Sequence, residues 1–189
     1  MSDEINIYIK TGEIKHRINS YMIEAIILDL QKEEMNSDKI QFITEYLWTT
    51  ELWSEYELTV YGNMIGVFKI ETVILLSNEV FNKSDIYKGM VRIRNDMYGI
   101  FLNTIQLCIE KSRFKNAEYF IEKMKKSNIP EQFIFERLLL QLFEGVLLYK
   151  QGKKEGLELS RKSIQTLEEV GAENYFLIYS EYLNQIQNG

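Results

Sequence analysis

One proline, one cysteine and one histidine stand among 189 residues, and each scarcity excludes something. A single Pro, at position 130, leaves long stretches open to helix, since an internal Pro removes a helix hydrogen bond and clashes with the turn before it. A lone Cys108 cannot close an internal disulfide and fits a reducing compartment. One Cys with one His cannot assemble a zinc cluster, so no metal or other cofactor is expected. A Ser-His-Asp or Cys-His arrangement would have to use His16. That residue sits in the charged stretch Glu13-Ile-Lys-His-Arg17 and reads as a solvated surface side chain. No run approaches the length of about 18 apolar residues that a membrane span needs. The acidic start MSDEINIYIK lacks the apolar core of a signal peptide, so a cytoplasmic location is expected.

Positive charge is also short. The formal charge is −6 and the isoelectric point about 5.0. A chain that neutralises phosphates should show a basic face, so specific DNA binding by these residues alone is not expected. No phosphate loop is present: Gly62-Asn-Met-Ile-Gly66 has no Lys-Ser/Thr after it. Carboxylates are numerous but fall at solvated helix positions such as Glu33-Glu34 and Glu168-Glu169. An enzyme is therefore not expected, and a cryptic carboxylate site is kept only as a second alternative.

What the chain does have is apolar residues at helical spacing. Hydrophobic residues make up 46% and charged ones 26%, ordinary for a globular chain. Ile18, Met22, Ile26 and Leu30 recur every four places and predict a helix over about 13–33. Residues 1–12 read as frayed. Asn36-Ser37-Asp38 is a cap, followed by a short helix through Ile43 and Leu47, with Thr50 capping the next. Later helices are expected through 56–67, 70–80, about 86–111, 117–124, 133–149, 157–170 and 175–186, with Pro130 at a first helical position. No alternating strand pattern is visible. The expected fold is all-α, a right-handed solenoid of stacked helix pairs, tetratricopeptide-like, in about nine helices. Residues 1–189 are expected to form one domain, with 1–36 as an N-terminal helix and linker.

The repeat itself is carried by small turn residues. Gly66, Ser112 and Gly152 each end one helix and start another, at separations of 46 (112 − 66) and 40 (152 − 112) positions. A period in that range marks repeated helix pairs, whose stacked first helices line a concave binding face. Counting back from each turn places Tyr56, Glu57, Val60, Asn63 and Met64, then Leu102, Asn103, Gln106, Ile109 and Glu110, then Leu142, Phe143, Val146, Tyr149 and Lys150 towards that face. Such a groove is mostly apolar with scattered amides. An amide side chain can pair with any peptide backbone, and apolar pockets then select side chains. The candidate ligand residues are Tyr56, Asn63, Asn103, Gln106, Phe143 and Tyr149, with Phe143 and Tyr149 as a pocket floor. The alternative for the amides is that they cap turns or satisfy neighbouring helices, and Phe143 reads equally as core. The last helix carries Phe176, Tyr179, Tyr182 and Leu183, read as a dimer interface because a terminal repeat helix with an apolar outer face needs a cover.

Several of these segments carry a resemblance. Glu45-Tyr-Leu-Trp48, Glu51-Leu-Trp53-Ser-Glu-Tyr56-Glu-Leu58 and Tyr61-Gly-Asn63 resemble the start of the repeat region in Rgg-like (GadR/MutR) transcriptional regulators of Gram-positive bacteria. Asn103 to Glu110, Asn116 to Ile121, Gly145 to Gly152 and Glu155-Gly-Leu157 extend it to about residues 40–185. The resemblance implies a tetratricopeptide-like domain that follows a helix-turn-helix, takes a short hydrophobic peptide pheromone in its groove and forms a homodimer. Asn63 and Asn103 are the positions carried over as peptide contacts. Residues 1–40 are too few for a helix-turn-helix, so DNA contact is expected only through a domain outside this chain. The alternative is a freestanding helical scaffold for a protein partner.

Overall fold

The computed structural model describes residues 2–87 and 89–188. Every regular element among them is helical. The order is α1 (Ser2–Thr11), α2 (Ile14–Gln31), α3 (Ser37–Thr49), α4 (Glu55–Met64), α5 (Ile70–Asn82), α6 (Val91–Glu110), α7 (Phe114–Lys126), α8 (Ile134–Lys150), α9 (Glu155–Glu169) and α10 (Glu173–Asn188). Short 3-10 turns lie at Ile65–Val67 and Ser84–Tyr87. The chain divides into two compact units, Met1–Ile100 and Phe101–Gly189, and the division falls within α6.

In the first unit, residues 2–11 are helix, not frayed chain. Asp3 and Glu4 in the first turn and Lys10 in the last both suit the helix dipole. Two contacts fix α1 to α2: His16 Nδ1 lies 2.6 Å from Glu4 Oε2, and the Arg17 guanidinium lies 5.7 Å from the Tyr8 ring centroid. The core of this unit gathers Ile18, Ile43, Leu47, Leu58, Tyr61, Met64, Val73 and Leu76. Thr50 ends α3, its hydroxyl donating to Tyr46 O, and Ser54 caps α4 instead. Ser54 and Glu57 form a capping box, and the Tyr46 hydroxyl also donates to Glu57 Oε1 at 2.6 Å. Burial alone would raise the Glu57 pKa. The bonds from the Ser54 hydroxyl, the Tyr46 hydroxyl and backbone N–H groups outweigh it, and the carboxyl sits below the usual carboxylate range. The helix expected from residue 86 begins at Val91, because residues 84–87 form their own 3-10 turn.

The second unit repeats one turn device. Ser112 (φ 55°), Gly152 (φ 85°) and Gly171 (φ 76°) each take the left-handed conformation after a helix. At each, the following N–H bonds back five residues: Arg113 N to Cys108 O, Lys153 N to Leu148 O, Ala172 N to Leu167 O. This pattern satisfies carbonyls that a helix end otherwise leaves open. Lys32 in the first unit uses it too (φ 58°). Gly66 does not; it lies inside a 3-10 turn without positive φ, so the first of the three expected repeat turns differs in kind. Pro130 precedes α8 instead of starting it, its carbonyl accepting from Phe133 N at 3.0 Å.

α8 and α9 approach each other closely. An ideal Cβ on Gly145 would lie 2.5 Å from Gly156 O, and one on Gly156 would lie 2.3 Å from Gly145 O. The two backbones therefore touch through glycine on both sides. Ser160 continues the seam, its hydroxyl donating to Leu142 O at 3.0 Å. The core of this unit gathers Ile105, Cys108, Phe120, Met124, Leu142, Phe143, Ile164 and Leu167. The Cys108 thiol is pushed up to about 11 by burial, with Arg113 acting in the opposite direction, which suits a packing residue better than a nucleophile.

Candidate functional site

In the second unit, α6 presents two contrasting faces. Leu102, Ile105, Cys108 and Ile109 are buried, while Asn103 and Glu110 are exposed and Gln106 is half-buried between them. The polar three are spaced i, i+3 and i+7, so they line one edge of the helix. Gln106 Nε2 donates to Glu110 Oε1 at 2.8 Å. The Asn103 amide forms no hydrogen bond among the described residues and remains available.

Aromatic rings of α8 and α10 meet in the same unit. Phe143 is 1% exposed. Tyr179 and Tyr182 lie edge-on to it, with centroids at 6.1 and 6.0 Å. Burial raises the Tyr179 phenol to about 12, with Tyr175 adding to the effect. Burial also raises the Tyr182 phenol, followed by the charge of Glu110 and then Tyr179.

These positions correct two expectations. Phe143 is core, sealed by α10, and cannot serve as an open pocket floor with Tyr149. The two residues are six positions apart, about 120° around the helix, so they do not share a face. Tyr149 is half-buried, and its backbone N lies 2.6 Å from where a Cβ on Gly156 would sit, on the α9 side. The α10 residues read as a dimer face also point inward: Leu183 is 4% exposed, and Tyr179 and Tyr182 lean on Phe143. Phe176 is half-buried and lines an open cavity of about 400 Å³ between α9 and α10 with Ile164 and Leu183. α10 turns Leu177 and Ile178 outward, 62% and 58% exposed, with Tyr175 beside them at 46%. Spacing already separates the two sets, since Phe176, Tyr179 and Leu183 lie i, i+3 and i+7 as a core stripe does.

In the first unit, Tyr56 is engaged in packing. Its hydroxyl donates to Asn19 Oδ1 at 2.9 Å and to Lys15 O at 3.2 Å, joining α4 to α2. Burial raises it to about 12, with the charges of Glu57 and Glu4 adding. Asn63 is exposed and its Nδ2 donates to Thr59 O of its own helix at 2.8 Å. Among the described residues no group of three His, Cys, Asp or Glu side chains is placed to hold a metal ion. No described helix is long and apolar enough to cross a membrane.

Helix pairs closed by left-handed turns, one of them packed through glycine, define a helical-repeat fold of the tetratricopeptide-like kind. Within that class, the model of the C-terminal domain of the HTH-type transcriptional regulator Rgg matches residues 3–181, and the chain belongs to this family. Three solved structures share the fold. A protein from Listeria monocytogenes EGD-e superposes with a TM-score of 0.83 at 22% identity, over 99% of this chain and 66% of that one. The SHP pheromone receptor Rgg2 of Streptococcus dysgalactiae gives 0.79 at 22% identity, over 95% and 66%. RopB gives 0.79 at 17% identity, over 98% and 82%. This chain thus spans just under two thirds of the length of the first two.

Proposed function

We propose that this chain is the ligand-sensing and dimerising domain of a cytoplasmic transcriptional regulator, and that it takes a short hydrophobic peptide against α6 and α10 of its second unit. The observation that carries the site is the unpaired Asn103 amide on an edge shared with Gln106 and Glu110, in the same unit as the Tyr179–Tyr182 aromatic stripe. Amides hold a peptide backbone whatever its sequence, and aromatic rings hold apolar side chains. Family membership supports the regulatory role, and one of the similar structures is named as a pheromone receptor. Asn63 remains a candidate contact in the first unit. DNA contact falls, in this reading, to a helix-turn-helix and not to residues 1–189, whose net charge is −6. Chemistry on the ligand plays no part in it.

Hydrogen exchange with and without synthetic hydrophobic octapeptides, drawn from short open reading frames of the same genome, tests the placement. Slowed exchange is expected in residues 103–110 and 176–186. Slowing confined to other segments would move the site elsewhere. The dimer contact is assigned to Leu177 and Ile178, the most exposed apolar residues of α10. Light scattering should report a dimer, and a monomer at high concentration would remove that part of the reading.

A further inference from the structure

The Tyr182 hydroxyl is sealed from solvent and has no hydrogen-bond partner among the described residues. Buried polar atoms are nearly always paired, because desolvating one without compensation is costly. The surroundings of this one say what it suits. Its ring is set edge-on against Phe143 at 84°, which fixes the phenol between α8 and α10. Glu110, at the end of α6, acts on it through its charge. Yet Glu110 Oε1 is occupied by Gln106 Nε2, not by the phenol. The hydroxyl therefore stands in the Phe143 packing of α8 and α10, within reach of the Glu110 charge.

We infer that the Tyr182 hydroxyl is a ligand-binding group of this site, kept unpaired in the free domain and donating to a backbone carbonyl of the bound peptide. The inference rests on the peptide reading above. The choice of a carbonyl follows from the neighbours. Burial holds the phenol protonated, so it offers an O–H. The nearby Glu110 carboxylate repels an anion, so a peptide's terminal carboxylate is disfavoured and a neutral amide oxygen fits. Access requires a local opening of the α8–α10 packing around the ring, since the hydroxyl is sealed in the free domain.

Tyr182→Phe removes one oxygen and keeps the ring packing. The free variant should melt higher by roughly 2–4 °C, because a buried unsatisfied group is gone. Its affinity for the octapeptide that the parent binds should fall roughly five- to tenfold. Both are read on the same preparation, by thermal melting and calorimetry. Weaker binding with unchanged or raised melting supports the inference. Unchanged affinity overturns it, as does a lowered melting temperature, which would show the hydroxyl already paired. If the parent binds and the variant binds equally, this inference alone fails. If the parent binds no octapeptide, the reading beneath it fails too.

Discussion

Gly156→Ala should destabilise the second unit by about 3 kcal/mol, the upper part of the range for overpacked cores. The added Cβ would lie 2.3 Å from Gly145 O, 2.6 Å from Tyr149 N and 2.7 Å from Leu148 Cβ. Two of those are backbone atoms and the third is fixed to backbone, so no side-chain rotation relieves the contact. α8 and α9 must move apart. That loosens the Ser160 bond to Leu142 O and the Ile164 and Leu167 packing of α9. A fall in melting temperature of roughly 6–12 °C is expected at this chain length. Gly99→Ala is the control. Nothing lies within 4 Å of its Cβ position, and it sits inside α6, so alanine should be neutral or slightly stabilising. Equal melting of the two variants would mean that the glycine seam does not set the α8–α9 distance.

Asn103→Ala should weaken octapeptide binding while leaving the melting temperature unchanged. The side chain is exposed and forms no hydrogen bond among the described residues, so the fold does not depend on it. Loss of one amide contact costs about 0.5–1.5 kcal/mol if the peptide group stays solvated, and up to about 3 if it is left buried. The affinity should therefore fall roughly twofold to over a hundredfold. Asn63→Ala is the useful comparison, because that amide already donates to Thr59 O and has one fewer group to offer. If Asn103→Ala unfolds the domain, the amide is structural and the site assignment is wrong.

The fold was largely legible because helix ends leave strong marks. Gly152 and Gly171 announce a left-handed turn by residue type, and Ser112 does so by its place in the repeat. The first repeat turn misled for a physical reason. Gly66 looks like the same device, but a 3-10 turn there needs no positive φ. α1 was hidden because its tie to α2 runs through His16 and Glu4, twelve residues apart, and no apolar stripe announces it. The α8–α9 seam was invisible as well, since a glycine in a helix does not reveal whether a backbone faces it.

The site was less legible, because periodicity says that a face is apolar but not what covers it. Phe143 belongs to a nearly all-round apolar helix, and only the observed position of α10 shows that its ring is capped. The same contact turned Tyr179, Tyr182 and Leu183 inward and left Leu177 and Ile178 outside. Counting back from Ser112 put Leu102, Asn103, Gln106, Ile109 and Glu110 towards one face. α6 instead buries Leu102 and Ile109 and leaves Asn103 and Glu110 exposed, with Gln106 half-buried, because the buried positions fix its rotation.

The most direct measurement is a calorimetric titration of residues 1–189 with hydrophobic octapeptides from the short open reading frames of the same genome. The account predicts that at least one peptide binds saturably, one per chain, and that Asn103→Ala weakens that same peptide. Flat heats across the set, with the domain folded throughout, would contradict it.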